Sequence, residues 1–181
     1  MWPGCGGTNV RIRTISFFIL GTALLLVSAA PAAAQDADVG VSYSILRQYE
    51  VTAPVGFAVD VSKAVGAVGN GTMRVVGEFG MNRFTDEDLI DAETQFSYMG
   101  GLRFAAPTST GGITPFGQFL VGGLSSFDEN DFAVQPGGGV AFDLNPNTDV
   151  RVQVDFPIDF AESKTFTGFR FNVGVVWAIG Q

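Results

Sequence analysis

Seven charged residues recur at alternating positions inside otherwise small or apolar stretches: Arg74, Glu78, Arg103, Asp143, Arg151, Asp155 and Arg170. If those positions share one interior, their charges can pair or line an ion path. Four cations against three anions nearly balance. An unpaired charge in a narrow interior is costly, so a paired network that fills the space is expected ahead of an open path.

Catalytic chemistry has little to work with. There is no histidine, which removes the commonest general base and transition-metal ligand. The single cysteine, Cys5, lies at the N-terminal end. Disulfides, cysteine metal sites and thiol chemistry are therefore excluded from the rest of the chain. A Ser-His arrangement is impossible. We expect no enzymatic activity, no catalytic residue, no resident metal and no cofactor.

The elements that would position the charges begin after a leader. Arg11 and Arg13 precede an apolar run from Ile15 to Val27, and Ala32-Ala33-Ala34 closes the segment. A basic start, a short apolar core and an A-x-A site define a cleavable secretory signal peptide. We place it at 1–34, with Gln35 as the mature N-terminus and 35–181 as one domain. That domain carries all 18 acidic residues and every basic one except Arg11 and Arg13. Such an acidic, exported domain is a poor partner for nucleic acid.

Residues Thr167 to Ile179 alternate strictly. Phe169, Phe171, Val173, Val175, Trp177 and Ile179 share one face, and Arg170, Asn172, Gly174, Val176 and Ala178 share the other. This is a strand with one apolar side, and its length suits a tilted crossing of a bilayer. Seven further strands are expected near 37–47, 55–63, 72–83, 94–105, 114–124, 134–144 and 149–156. Gln135-Pro136-Gly137-Gly138 should kink or bulge the sixth of these eight strands. Turn-forming sets follow strands two, four and six: Gly69-Asn70-Gly71, Pro107 to Gly112, and Asn145-Pro146-Asn147. Acidic loops follow strands three, five and seven: Asp86 to Glu93, then Asp128, Glu129 and Asp131, then Asp159, Glu162 and Lys164. The alternation of short turns with polar loops matches an all-β, eight-stranded antiparallel up-and-down transmembrane β-barrel behind a signal peptide. No later apolar stretch is long enough for a membrane-crossing helix, so any crossing is by a closed barrel.

The composition of the polar face sets its direction. A solvated surface would be rich in lysine and glutamate. Here the face holds Gly, Ala, Ser, Gln and Asn with isolated charges, which suits the crowded inside of a small barrel. We expect the apolar face to meet outer-membrane lipid and the seven charges to form a network in the lumen.

Three stretches carry a resemblance to a known family: Thr114-Pro115-Phe116-Gly117-Gln118-Phe119; Gln135 to Val140 leading into Arg151-Val152-Gln153-Val154-Asp155-Phe156; and Asn172 to Ile179. Together they resemble the small outer-membrane β-barrels of the OmpA membrane-domain type across about residues 36–179. The resemblance implies a bacterial outer-membrane location and handling by periplasmic chaperones and the barrel-assembly machinery. It also implies that Asn172, Gly174, Trp177 and Ile179 form the assembly signal. The chain departs from the family in ending Gly180-Gln181 instead of on phenylalanine. It also leads us to expect no appended peptidoglycan-binding domain. That family spans anchors, adhesins, small pores and lipid-modifying enzymes, so it leaves function open.

Three functions follow. The leading expectation is a non-enzymatic outer-membrane protein acting structurally, or through acidic loops on a partner the sequence does not name. The second is a narrow ion or small-solute pore. The third is a soluble periplasmic barrel that binds an apolar ligand inside. The clusters Asp86-Glu87-Asp88 and Asp128-Glu129-Asp131 offer oxygen ligands suited to calcium or to divalent bridges with lipopolysaccharide. Neither matches a defined calcium loop, and solvated loop charge is the plainer expectation.

Overall fold

The structure, a computed structural model, describes residues 37–48, 51–84, 93–106, 111–126, 129–161 and 164–179. The expected signal peptide and the loop acids Asp86, Glu87, Asp88, Asp91, Asp128 and Glu162 lie outside the described residues. The strands are β1 (Ala37–Gln48), β2 (Val51–Ala53), β3 (Val55–Val68), β4 (Gly71–Phe84), β5 (Glu93–Ala105) and β6 (Ile113–Ser126). They continue with β7 (Glu129–Asn145), β8 (Thr148–Asp155), β9 (Ile158–Ala161), β10 (Lys164–Thr167) and β11 (Phe169–Ile179). No helix occurs among the described residues.

These strands make a closed antiparallel barrel of eight staves. Pro54 separates β2 from β3 in one stave, Phe156-Pro157 separates β8 from β9, and Gly168 separates β10 from β11. Closure comes from β1 pairing with β11 along its length, from Ala37↔Ile179 to Arg47↔Phe169. The register is staggered. From Ala37 it passes through Lys63, Val75, Leu102, Phe119 and Pro136. It then crosses Phe156, whose N–H donates to the Pro136 carbonyl at 2.9 Å, and returns to β1 at Arg47, opposite Phe169. Such a stagger requires tilted strands, which is how a closed barrel fits its own twist.

Alternation along the staves decides what faces where. On β1, Ser42, Ser44, Leu46 and Gln48 are buried while Val41, Tyr43 and Ile45 are exposed. On β3, Asp60 and Ser62 are buried while Phe57, Val59 and Val61 are exposed. The exposed side continues through Phe79, Leu102, Phe119, Val173 and Trp177. An apolar exterior around a polar interior is the arrangement a barrel in lipid needs. It removes the soluble-barrel reading, which required the apolar rows inside.

Three expectations change. The expected bulge at Gln135–Gly138 is absent: β6–β7 pairing runs through Pro136 without a shift. Proline's missing N–H instead interrupts the facing stave, at Phe156-Pro157. Register shifts occur at Ala64/Gly66 on β3 and at Asp143/Asn145 on β7. Second, Asp159 is not a loop residue. It lies on β9 and is buried, because the seventh stave continues past Pro157. Third, Glu93 begins β5, Glu129 and Asp131 lie at the start of β7, and Lys164 begins β10, so all three polar loops are shorter than the charge pattern suggests.

Candidate functional site, the lumenal charge network

The charged side chains converge inside the barrel because strands keep a period of two and every second position points inward. Asp60 on β3 takes Arg151 of β8 on its two oxygens, one through Nη1 at 3.2 Å. It also accepts from Arg103 Nη1 of β5 at 3.4 Å. Both guanidiniums lie near the Phe116 ring, at 4.9 Å for Arg103 and 5.9 Å for Arg151, a favourable placement against the aromatic quadrupole.

A second cluster centres on Arg170 of β11. Its guanidinium donates to Glu78 of β4 and, at 3.3 Å, to Asp155 of β8. Asp155 also accepts from Gln153 at 2.7 Å and Asn172 at 2.8 Å. Glu78 accepts from Gln135 of β7 at 3.2 Å. Gln118 on β6 joins the clusters, accepting from Arg103 Nε and donating to Asp155, both at 3.0 Å. Arg103, Arg151 and Arg170 balance Asp60, Glu78 and Asp155, so the joined network is neutral although each half is not. Asp155 is 0% and Arg170 1% exposed. At that burial only paired and hydrogen-bonded charges are tolerable.

Arg74 stands apart, toward the rim that bears the termini. It pairs with Asp38 at 2.7 Å and donates to Ser62 at 3.0 Å. Asp143, expected inside the network, is exposed. It sits by the β7–β8 turn, directly opposite Asp149, where the stave has already reached the rim. Both line an open cavity of about 600 Å³, with Arg74, Arg103, Arg151 and Phe116 also on its walls. The partner in its place is Asp60, joined by Asp38 at the rim. Strand alternation puts Asp60 on the inward side; its pairing across the lumen needs the barrel closed.

Two glycines give the network room. On β1, a Cβ at Gly40 would run into Asp60 and Arg151. On β7, one at Gly137 would run into the Asp155 carboxylate. Gly137→Val is expected to displace that carboxylate and cost about 1–3 kcal/mol, as overpacking does, read as a lower urea midpoint of the folded barrel. Beside the network, Val76, Met99, Leu120, Leu124 and Ala133 form a buried apolar cluster on the inward face of β4 to β7. Leu46, Ala53 and Phe84 form another near the opposite rim. Polar and apolar side chains thus share the lumen beyond the cavity.

The four residues of the expected assembly signal divide between the faces. Asn172 is buried in the network and Gly174 packs inward against Ser42 and the Val41 backbone, while Trp177 and Ile179 are exposed on the outside. Among the described residues, no group of three or more His, Cys, Asp or Glu side chains could hold a metal ion.

A closed eight-stave barrel, apolar outside and filled with paired charges inside, has the fold of the small outer-membrane β-barrels. Solved structures agree at the level of fold. Neisserial surface protein A aligns with a TM-score of 0.58 and 11% identity over 82% of this chain and 99% of that one. The outer-membrane enzyme PagL aligns at 0.52 and 13%, covering 77% and 99%. Ail, the attachment invasion locus protein of Yersinia pestis, solved with the heparin analogue sucrose octasulfate, aligns at 0.50 and 16%, covering 80% and 97%. No family model matches the chain, and no curated protein matches it in sequence.

Proposed function

We propose that the chain is an integral bacterial outer-membrane β-barrel, residues 35–181, exported by the signal peptide at 1–34, with a non-enzymatic structural or interaction role. The observation that carries this reading is the pairing of an apolar exterior with a lumen filled by a neutral, buried ion network. The first makes lipid the solvent of the outer surface. The second sets paired, buried side chains across the middle of the lumen, which supports a plugged interior ahead of an open pore. Work on other molecules then falls to the rims, where the loop acids Asp86, Glu87, Asp88, Asp91 and Asp128 would meet partners, beside Glu93, Glu129 and Asp131 at the adjoining strand starts. Asn172, Gly174, Trp177 and Ile179 would serve as the signal to the assembly machinery.

The pore reading rests on the cavity at the termini side, which ends against Arg103 and Arg151. Planar bilayers distinguish the two. The purified barrel should be electrically silent, and steady single-channel conductance would favour the pore. Membrane embedding is tested separately by fractionation and by comparing boiled and unboiled extracts on a gel. Outer-membrane recovery with a mobility shift is expected; a soluble protein with no shift would sink the reading.

A further inference from the structure

We propose that Arg47 and Arg83 form a docking site for the phosphate of an anionic lipid headgroup, a proposal that rests on the membrane-embedded reading above. Arg74, Arg103, Arg151 and Arg170 turn inward and pair with carboxylates. Arg47 and Arg83 turn outward and are exposed. Each ends an outward apolar row: Val41, Tyr43 and Ile45 lead to Arg47 on β1, and Val75, Phe79 and Met81 lead to Arg83 on β4.

The two flank a single stave. Arg47 lies opposite Thr52 on β2 and Arg83 opposite Val55 on β3. Just inside them, the Tyr43 and Phe57 rings meet edge to face at 6.1 Å, and the Tyr43 hydroxyl donates to the Pro54 carbonyl. Aromatic girdles mark the level where hydrocarbon gives way to headgroups. A charge further down the same rows would sit in hydrocarbon. At their ends it sits at headgroup depth, where anionic lipid attracts Lys and Arg.

Guanidinium suits this occupant, because its planar fork can take two phosphate oxygens at once. The apolar rows below favour a lipid over free phosphate. They hold acyl chains beside the headgroup, and a free ion gains nothing from them.

The test uses the barrel in nanodiscs of phosphatidylcholine, with and without phosphatidylglycerol, and reads retained lipid by native mass spectrometry. Retention of phosphatidylglycerol should exceed that of phosphatidylcholine by about fivefold per arginine. Arg47→Gln and Arg83→Gln should each lose part of this preference and the double variant should lose it. Both side chains are exposed, so the heat-mobility shift should survive in all variants. Absence of a preference in the wild type, or its persistence in the double variant, would overturn the site. So would competition by millimolar inorganic phosphate, which would make it a free-anion site. An equal loss of urea resistance by the double variant in both lipids would assign the arginines to loop carboxylates instead. Failure of the wild type to enter nanodiscs would overturn the membrane reading itself, before any question of lipid preference.

Discussion

Arg170→Met should lower the stability of the folded barrel by roughly 3–5 kcal/mol, the cost of breaking a buried ion cluster by removing one partner. Arg170 is the cation shared by Glu78 and Asp155. Without it, two buried carboxylates remain with only amide donors nearby: Gln135 on Glu78, and Gln118, Gln153 and Asn172 on Asp155. Methionine fills much of the volume, so the loss reports charge more than packing. Urea titration of the barrel in lipid vesicles, followed by Trp177 fluorescence and gel mobility, measures it. The triple variant Arg170→Met, Glu78→Gln, Asp155→Asn should recover a large part of the loss, since it removes the stranded charges along with their partner. A single variant as stable as wild type would show that the network contributes little. A triple variant no better than the single would show that Arg170 acts through packing.

The second large effect lies on the other face. Val59→Arg on β3 should destabilise the barrel in lipid by about 2–4 kcal/mol, the range for arginine on the lipid side near the bilayer midplane. Val59 is 43% exposed, so a surface in water would accept the same change almost without cost. The outcome therefore separates lipid from water as the solvent of this face. The same substitution near a rim, such as Val55→Arg beside Arg83, should cost no more than about 1 kcal/mol. Equal costs at the two depths would contradict a bilayer around the barrel, whereas a gradient would trace its thickness.

Much of this architecture was legible in the sequence because strands report their faces directly. A period of two needs no knowledge of neighbours, so the inward phase of Arg74, Glu78, Arg103, Arg151, Asp155 and Arg170 could be read from each segment alone. The direction of the apolar rows was legible too, from the scarcity of lysine and the abundance of small residues opposite them. The Pro136 region was misread for a local reason: proline in a strand signals disruption, but here the facing stave carries the interruption at Phe156-Pro157. Asp159 was misread because a proline and a cluster of charges look like a loop when the strand in fact resumes beyond them.

By itself, the sequence determined the eight principal strands and the two faces of each. These depend on residue order within one segment. Tertiary structure alone decided which charge meets which. Asp60 pairs with Arg103 and Arg151, Gln118 ties the two clusters together, and Asp143 is left at the rim. Those pairings depend on the stagger of the staves, which returns β1 to itself at Arg47 after leaving from Ala37. That stagger is set only when β1 meets β11, and a strand carries no record of its own height in the closed barrel.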